Sequence, residues 1–143
     1  MKLQVVMDTN VMISGVLWRG IPFELLRWAE EGKCIIYTSL EILSEVYRVI
    51  HHSKFQQYVE ERKVSARDLF DKIASLCTVI QVERQVEGAC RDKDDDKFIS
   101  CALVAGVEFI ISGDKHLLEL GAYQSIRILT AREFYQEHVT RVI

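Results

Sequence analysis

Short apolar runs alternate with longer amphipathic segments along the whole chain. Five such runs occupy residues 3–7, 35–37, 78–82, 108–111 and 126–129. Their hydrophobicity is nearly continuous, which is typical of strands that are covered on both faces of a sheet. The alternation of strands with helices predicts an α/β fold, a three-layer α/β/α sandwich with a central, mostly parallel five-stranded sheet.

Helix signals fill the intervals between these runs. Pro22 begins a helix that runs toward Glu31 and ends at Gly32. Another helix is predicted over residues 94–105, where apolar residues recur at helical spacing. A capping-box pattern, Thr38 with Glu41, marks another helix start. Two further starts are predicted at Ser65 with Asp68 and at Thr130 with Glu133.

The chain has 143 residues and no low-complexity linker, so we expect a single domain over residues 1–143. With 49% hydrophobic residues it can fill one core. The net charge of −3 does not itself indicate nucleic acid. An acidic chain is still compatible with a nuclease, because bound metal ions change the local field at a site.

Cysteine spacing and apolar length indicate a cytoplasmic location. None of the four cysteines forms a CxxC pair, so we expect reduced thiols and no zinc site. No targeting segment is visible. The longest apolar stretch, residues 103–111, is interrupted by Glu108 and is far shorter than the roughly 20 residues of a membrane span. No membrane association is expected.

Two aspartates follow predicted strands. Asp8 comes directly after the first apolar run, and Asp114 follows the fourth run by three residues. Functional sites in open α/β sheets form at the carboxyl ends of the strands, so both carboxylates are expected at one edge. The alternative for each is a helix N-cap, a position at which aspartate is favoured.

A third acidic feature is the run Arg91-Asp92-Lys93-Asp94-Asp95-Asp96-Lys97. Aspartates in a first helical turn complement the helix dipole, and a solvated helix start is therefore the alternative explanation. A cap does not require three consecutive aspartates, whose mutual repulsion a cation would relieve. Asp92 and Asp96 share a face if the helix begins early.

Glu45 is the fourth acid considered. Its helical neighbours Glu41, Arg48 and Val49 place it at the edge of a polar face. Periodicity alone predicts an exposed side chain, paired with Arg48.

Such acids suit one kind of chemistry. Mg²⁺ and Mn²⁺ prefer oxygen ligands, and carboxylate-held ions assist phosphodiester hydrolysis by activating water and neutralising charge on the phosphoryl group. The sequence contains no glycine-rich phosphate loop, no GxSxG and no HExxH. His116 is the histidine that lies beside a candidate acid.

Two stretches resemble the PIN-domain family. They are VVMDTNV, residues 5–11, and DDDKFISCALVAGVEFIISGDKHLL, residues 94–118. The second is similar to the stretch shared by PIN-type toxins of prokaryotic toxin–antitoxin pairs. The helix containing Glu45, in SLEILSEVYRVI, lies at the matching place between them. The resemblance covers nearly the whole chain.

The resemblance implies a ribonuclease that cleaves single-stranded RNA with Mg²⁺ or Mn²⁺. The implied catalytic and metal-binding residues are Asp8, Glu45, Asp96 and Asp114. The implied supporting residues are Asn10, Ser112 and Asp92, of which the first two orient the first and last acids. Flanking phosphates of the substrate would contact Lys97, Lys115 or His116, with an affinity that depends on salt.

One position departs from the family pattern. The last motif often has the form Gly-Asp-x-Asp, whereas this chain has Gly-Asp-Lys-His, so that His116 replaces the second acid. Asp114 is then the acid of this motif, which puts a second metal ion in question. The resemblance also implies RNA as substrate and an antitoxin as partner. Homo-oligomers are a further expectation, with Trp18, Trp28 and Tyr58 as candidate contacts unless they belong to the core.

Two other functions place acids at strand ends. A receiver domain has adjacent acids after an early strand, and Asp8 has no acidic neighbour. A haloacid-dehalogenase-like phosphatase has Asp-x-Asp there, and the third residue here is Asn10. A non-catalytic interaction module of PIN fold is a further alternative, although all four matching acids are present. Stabilisation by Mn²⁺ and cleavage of RNA would separate these possibilities.

Overall fold

The computed structural model describes residues 2–139. In these residues a six-stranded sheet has the order β3-β2-β1-β4-β6-β5. The strands are β1 Leu3–Met7, β2 Cys34–Thr38, β3 Cys77–Val79, β4 Phe109–Ile111, β5 Ala122–Tyr123 and β6 Ile126–Leu129. All neighbouring pairs are parallel except β5–β6, which is antiparallel. The mostly parallel α/β sheet that the sequence predicts is confirmed.

The prediction of five strands is wrong by one. The additional strand, β5, is two residues long and pairs Tyr123 with Ile126 at the edge of the sheet. A strand of this length has no hydrophobic period of its own, so the sequence pattern gives no signal for it.

Helices lie between the strands. They are α1 Thr9–Leu17, α2 Ile21–Glu30, α3 Leu40–Ile50, α4 Ser53–Glu61, α5 Ala66–Ser75, α6 Asp96–Ala105, α7 Lys115–Leu120 and α8 Ala131–Phe134. A 3₁₀ turn, Lys93–Asp95, precedes α6, and a π-helical turn, Tyr135–Val139, follows α8. Helix α6 packs against β1, β2 and β4, while α1 packs against α2, α3 and α5. The sheet is therefore flanked by helices.

The helix starts predicted at Ser65 and at Thr130 are confirmed, and both form capping boxes, with Asp68 and Glu133 respectively. The predicted capping box of Thr38 with Glu41 is wrong: α3 begins one residue later, with Ser39 as its N-cap. Thr38 instead belongs to β2, and its carbonyl accepts from Ile80 N at 2.9 Å. That bond lies just beyond β3, which is shorter than the run 78–82 that the pattern predicted.

The four cysteines are free. Burial raises the pKa of each thiol to about 12, so the thiols are neutral at ordinary pH. Trp28 and Tyr58 are half-buried and pack against the core, whereas Trp18 is 39% exposed beside Tyr58. Within residues 2–139, no helix has both the length and the apolar character to span a bilayer.

The central strand determines where polar residues can gather. Val5 pairs with Ile36 on one side and with Phe109 on the other, so β1, β2 and β4 run side by side in the same direction. Their carboxyl ends lie at one edge of the sheet, and the residue after each strand is polar: Asp8 after β1, Ser39 after β2 and Ser112 after β4. This edge is the place for a candidate site.

Candidate active site

Asp8 is held at this edge by three donors. Its Oδ1 accepts from Val11 N at 2.8 Å, and its Oδ2 accepts from Gly113 N at 3.2 Å and from the Ser112 hydroxyl. The side chain is the N-cap of α1, so the capping alternative is correct as a description of structure. The residue is 4% exposed, and burial raises the pKa of its carboxyl although the three hydrogen bonds oppose that rise. Asp114 contributes further to the rise through its negative charge.

Asp114 is the N-cap of α7. Its Oδ1 accepts from His116 N at 2.8 Å and from Leu117 N at 3.2 Å. Its own backbone N–H donates to Ser112 Oγ at 2.9 Å. The Ser112 hydroxyl therefore accepts from the backbone of one acid and donates to the carboxylate of the other. This placement agrees with the orienting role that the resemblance implies for Ser112.

Glu45 is half-buried. Its Oε1 accepts from the hydroxyl of Thr9, and its Oε2 lies 2.6 Å from Lys97 Nζ. The predicted pair with Arg48 is present at 3.8 Å, but the prediction of an exposed side chain is wrong, because Glu45 is 19% exposed. Thr9 was not identified from the sequence. It directly follows Asp8, and its hydroxyl brings Glu45 toward the end of β1.

Asp95 faces the other acids. Burial raises the pKa of its carboxyl to about 7, and the next causes are the charge of Asp114 and a hydrogen bond with Asp114. Smaller contributions come from Asp92 and Glu45. Oδ2 of Asp95 is buried and has no hydrogen-bond partner among the residues described. A buried carboxyl oxygen without a donor is costly, and a cation would satisfy it.

Asp96 makes different contacts. Its two carboxylate oxygens accept from Gly88 N at 2.9 Å and from Cys90 N at 2.7 Å. One turn further along α6, Ser100 Oγ accepts from Val86 N at 2.8 Å. These bonds attach the irregular segment before the 3₁₀ turn to the start of α6. The carboxylate of Asp96, the acid chosen from the sequence, thus holds this segment in place through hydrogen bonds. The carboxylate of the preceding residue, Asp95, is the one that lies beside Asp114.

The other predicted site residues lie around these acids. The Asp92 side chain caps the 3₁₀ turn by accepting from Asp94 N at 3.0 Å. Asn10 is exposed, and among residues 2–139 its side chain forms no hydrogen bond with either acid that it was expected to orient. Lys115 is exposed, whereas His116 is half-buried and its Nδ1 has no partner among the described residues.

Asp8, Glu45, Asp95 and Asp114 are close enough to influence one another's ionisation in pairs. Asp114 acts electrostatically on Asp8 and on Asp95, and Glu45 acts on Asp95. In the described part of the chain, no three His, Cys, Asp or Glu side chains are grouped closely enough to surround one ion as they stand. The chemistry of these side chains nevertheless fits a hard cation, because all of them are carboxylates and those of Asp95 and Asp114 are adjacent. In addition, Asp95 Oδ2 has no hydrogen-bond donor among the described residues.

Comparison with known proteins places these observations in a family. A family model describing the PIN domain matches residues 4–116, a segment that includes the end of β1, helix α3 and the start of α7. An uncharacterised protein of Methanocaldococcus jannaschii is 34% identical over 147 residues, covering 95% of this chain and 92% of that protein.

A solved structure has a similar fold. It is VapBC2 from Rickettsia felis bound to a DNA fragment from the promoter, which aligns with a TM-score of 0.60 at 12% identity. The alignment covers 88% of this chain and 97% of that one. PIN domains are generally metal-dependent nucleases. Because the family model spans most of the sequence, this chain belongs to the PIN-domain family.

Proposed function

We propose that this protein is a ribonuclease that cleaves single-stranded RNA with Mg²⁺ or Mn²⁺. The proposed metal ligands are Asp8, Glu45, Asp95 and Asp114, so Asp95 takes the place that the sequence pattern gave to Asp96. One observation carries this exchange: Asp95 lies beside Asp114 and its buried Oδ2 has no partner among residues 2–139, whereas the oxygens of Asp96 accept from Gly88 N and Cys90 N.

The chain supplies the orientation of these acids. The Ser112 hydroxyl and Gly113 N fix one oxygen of Asp8, and the Thr9 hydroxyl fixes one oxygen of Glu45. The backbone of α7 fixes one oxygen of Asp114. Each acid therefore keeps another oxygen, or another lone pair, for a ligand. When bound, a divalent ion neutralises charge on the scissile phosphate and favours attack by water.

Cationic side chains near the acids would hold the substrate. Lys97 is 16% exposed and its Nζ lies 2.6 Å from Glu45 Oε2, so a phosphate bound beside Glu45 would be within reach of its ammonium group. Lys115 and His116 follow Asp114 directly along the chain, so they also belong to the neighbourhood of these acids. Such contacts bind the backbone of RNA without reading its bases.

A comparison of two adjacent variants tests the ligand assignment. Asp95→Asn should remove Mn²⁺-dependent cleavage of a labelled single-stranded RNA and also the thermal stabilisation by Mn²⁺. The loss of activity should exceed the roughly 100-fold that loss of a ligand's outer partner costs. Asp96→Asn is the matched control, because it makes the same chemical change one residue away. Greater Mn²⁺ stabilisation in Asp95→Asn than in Asp96→Asn would reject the exchange.

The wild-type protein and its aspartate variants also distinguish the nuclease from a phosphatase and from a non-catalytic module. A phosphatase would hydrolyse a phosphomonoester such as p-nitrophenyl phosphate and leave the RNA intact. A non-catalytic module would do neither and would show no Mn²⁺-dependent stabilisation. Cleavage of RNA that disappears in both Asp8→Asn and Asp95→Asn is the result expected from a PIN nuclease.

We further propose that the protein acts as the toxin of a toxin–antitoxin pair. Support comes from its similarity in fold to the VapBC2 structure and from the resemblance of residues 94–118 to PIN-type toxins. Expression in a bacterial host should then arrest growth, and Asp95→Asn should abolish the arrest. Co-expression of a small protein encoded next to this gene should restore growth. Normal growth on expression of active nuclease would contradict the toxin role.

A further inference from the structure

A groove begins at Asp114 and leads away from the acids. It has a volume of about 690 Å³ and is lined by the start of α1, the segment around Gly20 and the start of α8. Ser112, Gly113 and Asp114 line it at one end, so it opens directly onto the candidate active site. Its volume lies within the roughly 300–1,000 Å³ of sites that hold small ligands.

The groove carries positive charge that the protein itself does not use. Lys115 and Arg132 line it, and both side chains are exposed. Within residues 2–139 neither forms an ion pair, whereas Lys97 is paired with Glu45 and Arg91 lies 3.8 Å from Glu119. Asp114 contributes the one carboxylate of the lining. An anionic group that enters from the active site therefore meets two cations.

The surface beside Asp96 and Lys97 differs in charge from this groove. A second groove of about 670 Å³ lies beside α6 and the segment that Asp96 attaches. Its lining has four carboxylates, Glu41, Glu87, Asp94 and Asp96, against three cations, Arg91, Lys93 and Lys97. A polyanion is repelled more strongly there than in the groove at Asp114. The charge difference selects the groove at Asp114.

The remaining lining suits a nucleoside. Asn10, Ser14 and Thr130 offer amide and hydroxyl groups, and the Asn10 amide can both donate and accept. Ile21 and Pro22 add an apolar surface against which a planar base can lie. Side chains of this kind contact base edges and sugar, while the cations contact phosphate.

We propose that this groove binds the nucleotide next to the scissile phosphate of a single-stranded RNA, with Arg132 holding its phosphate and Asn10 contacting its base or sugar. The proposal rests on the ribonuclease function and specifies where that site takes its substrate. It assigns Asn10 to substrate contact, in keeping with its exposure and its lack of a bond to the acids. Arg132 becomes a binding residue 18 positions after Asp114 in the sequence.

Binding can be measured separately from cleavage. Fluorescence anisotropy of a short fluorescein-labelled single-stranded RNA is recorded with Asp95→Asn protein, which should not cut it, in buffer containing Mg²⁺. Adding Arg132→Ala should weaken binding about five- to tenfold at low salt and reduce the salt slope of the binding constant by about 0.7. Arg67→Ala, at an exposed position of α5, makes the same charge change on a helix that does not line the groove. Equal affinities of the two variants would overturn the proposal.

A steric variant tests the groove without a change of charge. A Cβ added at Gly20 would meet no atom within 4 Å, so Gly20→Leu should fit the fold while it fills part of the groove. It should weaken RNA binding and leave the salt slope unchanged, with the melting temperature near that of the parent. Unaltered affinity in this variant would likewise count against the groove.

The outcomes distinguish this proposal from the proposed function. If Arg132→Ala and Gly20→Leu weaken binding but the wild-type protein cuts no RNA, the groove is supported and the nuclease function is rejected. If the wild-type protein cuts RNA and both variants bind it as tightly as Arg67→Ala, the nuclease stands and the groove is rejected.

Discussion

The carboxyl group of Asp95 lies against that of Asp114 in a buried setting, and together burial and this neighbour raise the pKa of Asp95 to about 7. Two carboxylates in contact are unfavourable when both are ionised. The protein keeps them together at the edge of the sheet where Asp8 and Glu45 also lie. An arrangement that costs stability in the free protein is typical of a functional site.

Asp95→Asn and Asp96→Asn should differ in stability as well as in activity. The first removes a charge that its neighbours disfavour, so the free energy of unfolding without metal should stay the same or rise. The second places an amide where two backbone N–H groups need acceptors, which should cost about 1–3 kcal/mol. Urea denaturation in EDTA measures both. A larger loss in Asp95→Asn than in Asp96→Asn would contradict this.

The stability of the metal-free protein should depend on the ionisation of Asp95. Its pKa is about 7 in the folded protein, above the ordinary value of 3.8 for an aspartate. A carboxyl whose pKa is raised by folding contributes stability at low pH, and that contribution is lost as pH rises toward and through 7. The wild-type protein should therefore lose stability relative to Asp95→Asn between about pH 4 and pH 7, where the folded protein holds this proton and the unfolded chain does not. Parallel stability curves for the two proteins would show that Asp95 does not titrate in this range.

Mn²⁺ should compete with the proton for the same carboxylates. Thermal stabilisation by a fixed Mn²⁺ concentration should consequently grow from about pH 5.5 to pH 8, since metal binding releases protons from its ligands. Differential scanning fluorimetry at several pH values measures this effect. An equal shift at every pH would contradict a ligand that is protonated near pH 7.

Ser112→Ala should weaken both the fold and the site. The Ser112 hydroxyl is buried, donates to Asp8 and accepts from Asp114 N, and an alanine leaves both partners short of a bond. The expected cost is about 1–3 kcal/mol of unfolding free energy, with Mn²⁺ affinity lowered about 10- to 100-fold.

Ser44→Ala is the control for this prediction, because Ser44 is an exposed serine of α3. Chemical denaturation and Mn²⁺ titration of both variants make the comparison. If Ser112→Ala matched Ser44→Ala in both measurements, the hypothesis that the Ser112 hydroxyl orients the acids would be rejected.

Gly15→Val should destabilise the packing of α1 against α2. A Cβ at Gly15 would lie 2.4 Å from Leu26 Cδ1 and 3.1 Å from the Pro22 carbonyl oxygen. Overpacking of this kind costs about 1–3 kcal/mol. Gly20→Val is the matched control, since its Cβ meets nothing within 4 Å. Similar melting temperatures for the two variants would show that α1 and α2 can separate without cost.

Much of the architecture follows from the sequence because buried parallel strands leave short, nearly continuous apolar runs. The same rule located Asp8 and Asp114 at strand ends, where the structure has them. It did not locate β5, which is too short to have a period. Helical periodicity also misplaced Glu45, since its burial comes from bonds to Thr9 and Lys97 that lie far away in the sequence.

The choice among the three consecutive aspartates depends on a local change in the backbone. The chain makes a 3₁₀ turn over Lys93–Asp95 before it enters α6, and the rotation per residue differs between the two kinds of turn. Asp95 faces Asp114 and Asp96 faces the segment at Gly88 for this reason. The sequence does contain one sign of the 3₁₀ turn, namely Asp92, whose side chain caps the turn by accepting from Asp94 N. An aspartate at this position marks where the turn begins but does not show where α6 takes over.

The position of Ser112 ties the chemistry of this edge to strand pairing. Met7 is paired with Ile111, and the residues that follow them, Asp8 and Ser112, meet through one hydroxyl. Side chains alternate between the two faces of a strand, so a slip of one residue between β1 and β4 would turn that hydroxyl to the opposite face. The relative position of Asp8 and Asp114, which Ser112 connects, therefore depends on the pairing of β1 with β4 at the centre of the sheet. Substitutions that disturb this pairing would change the geometry of the site although they alter no charged residue.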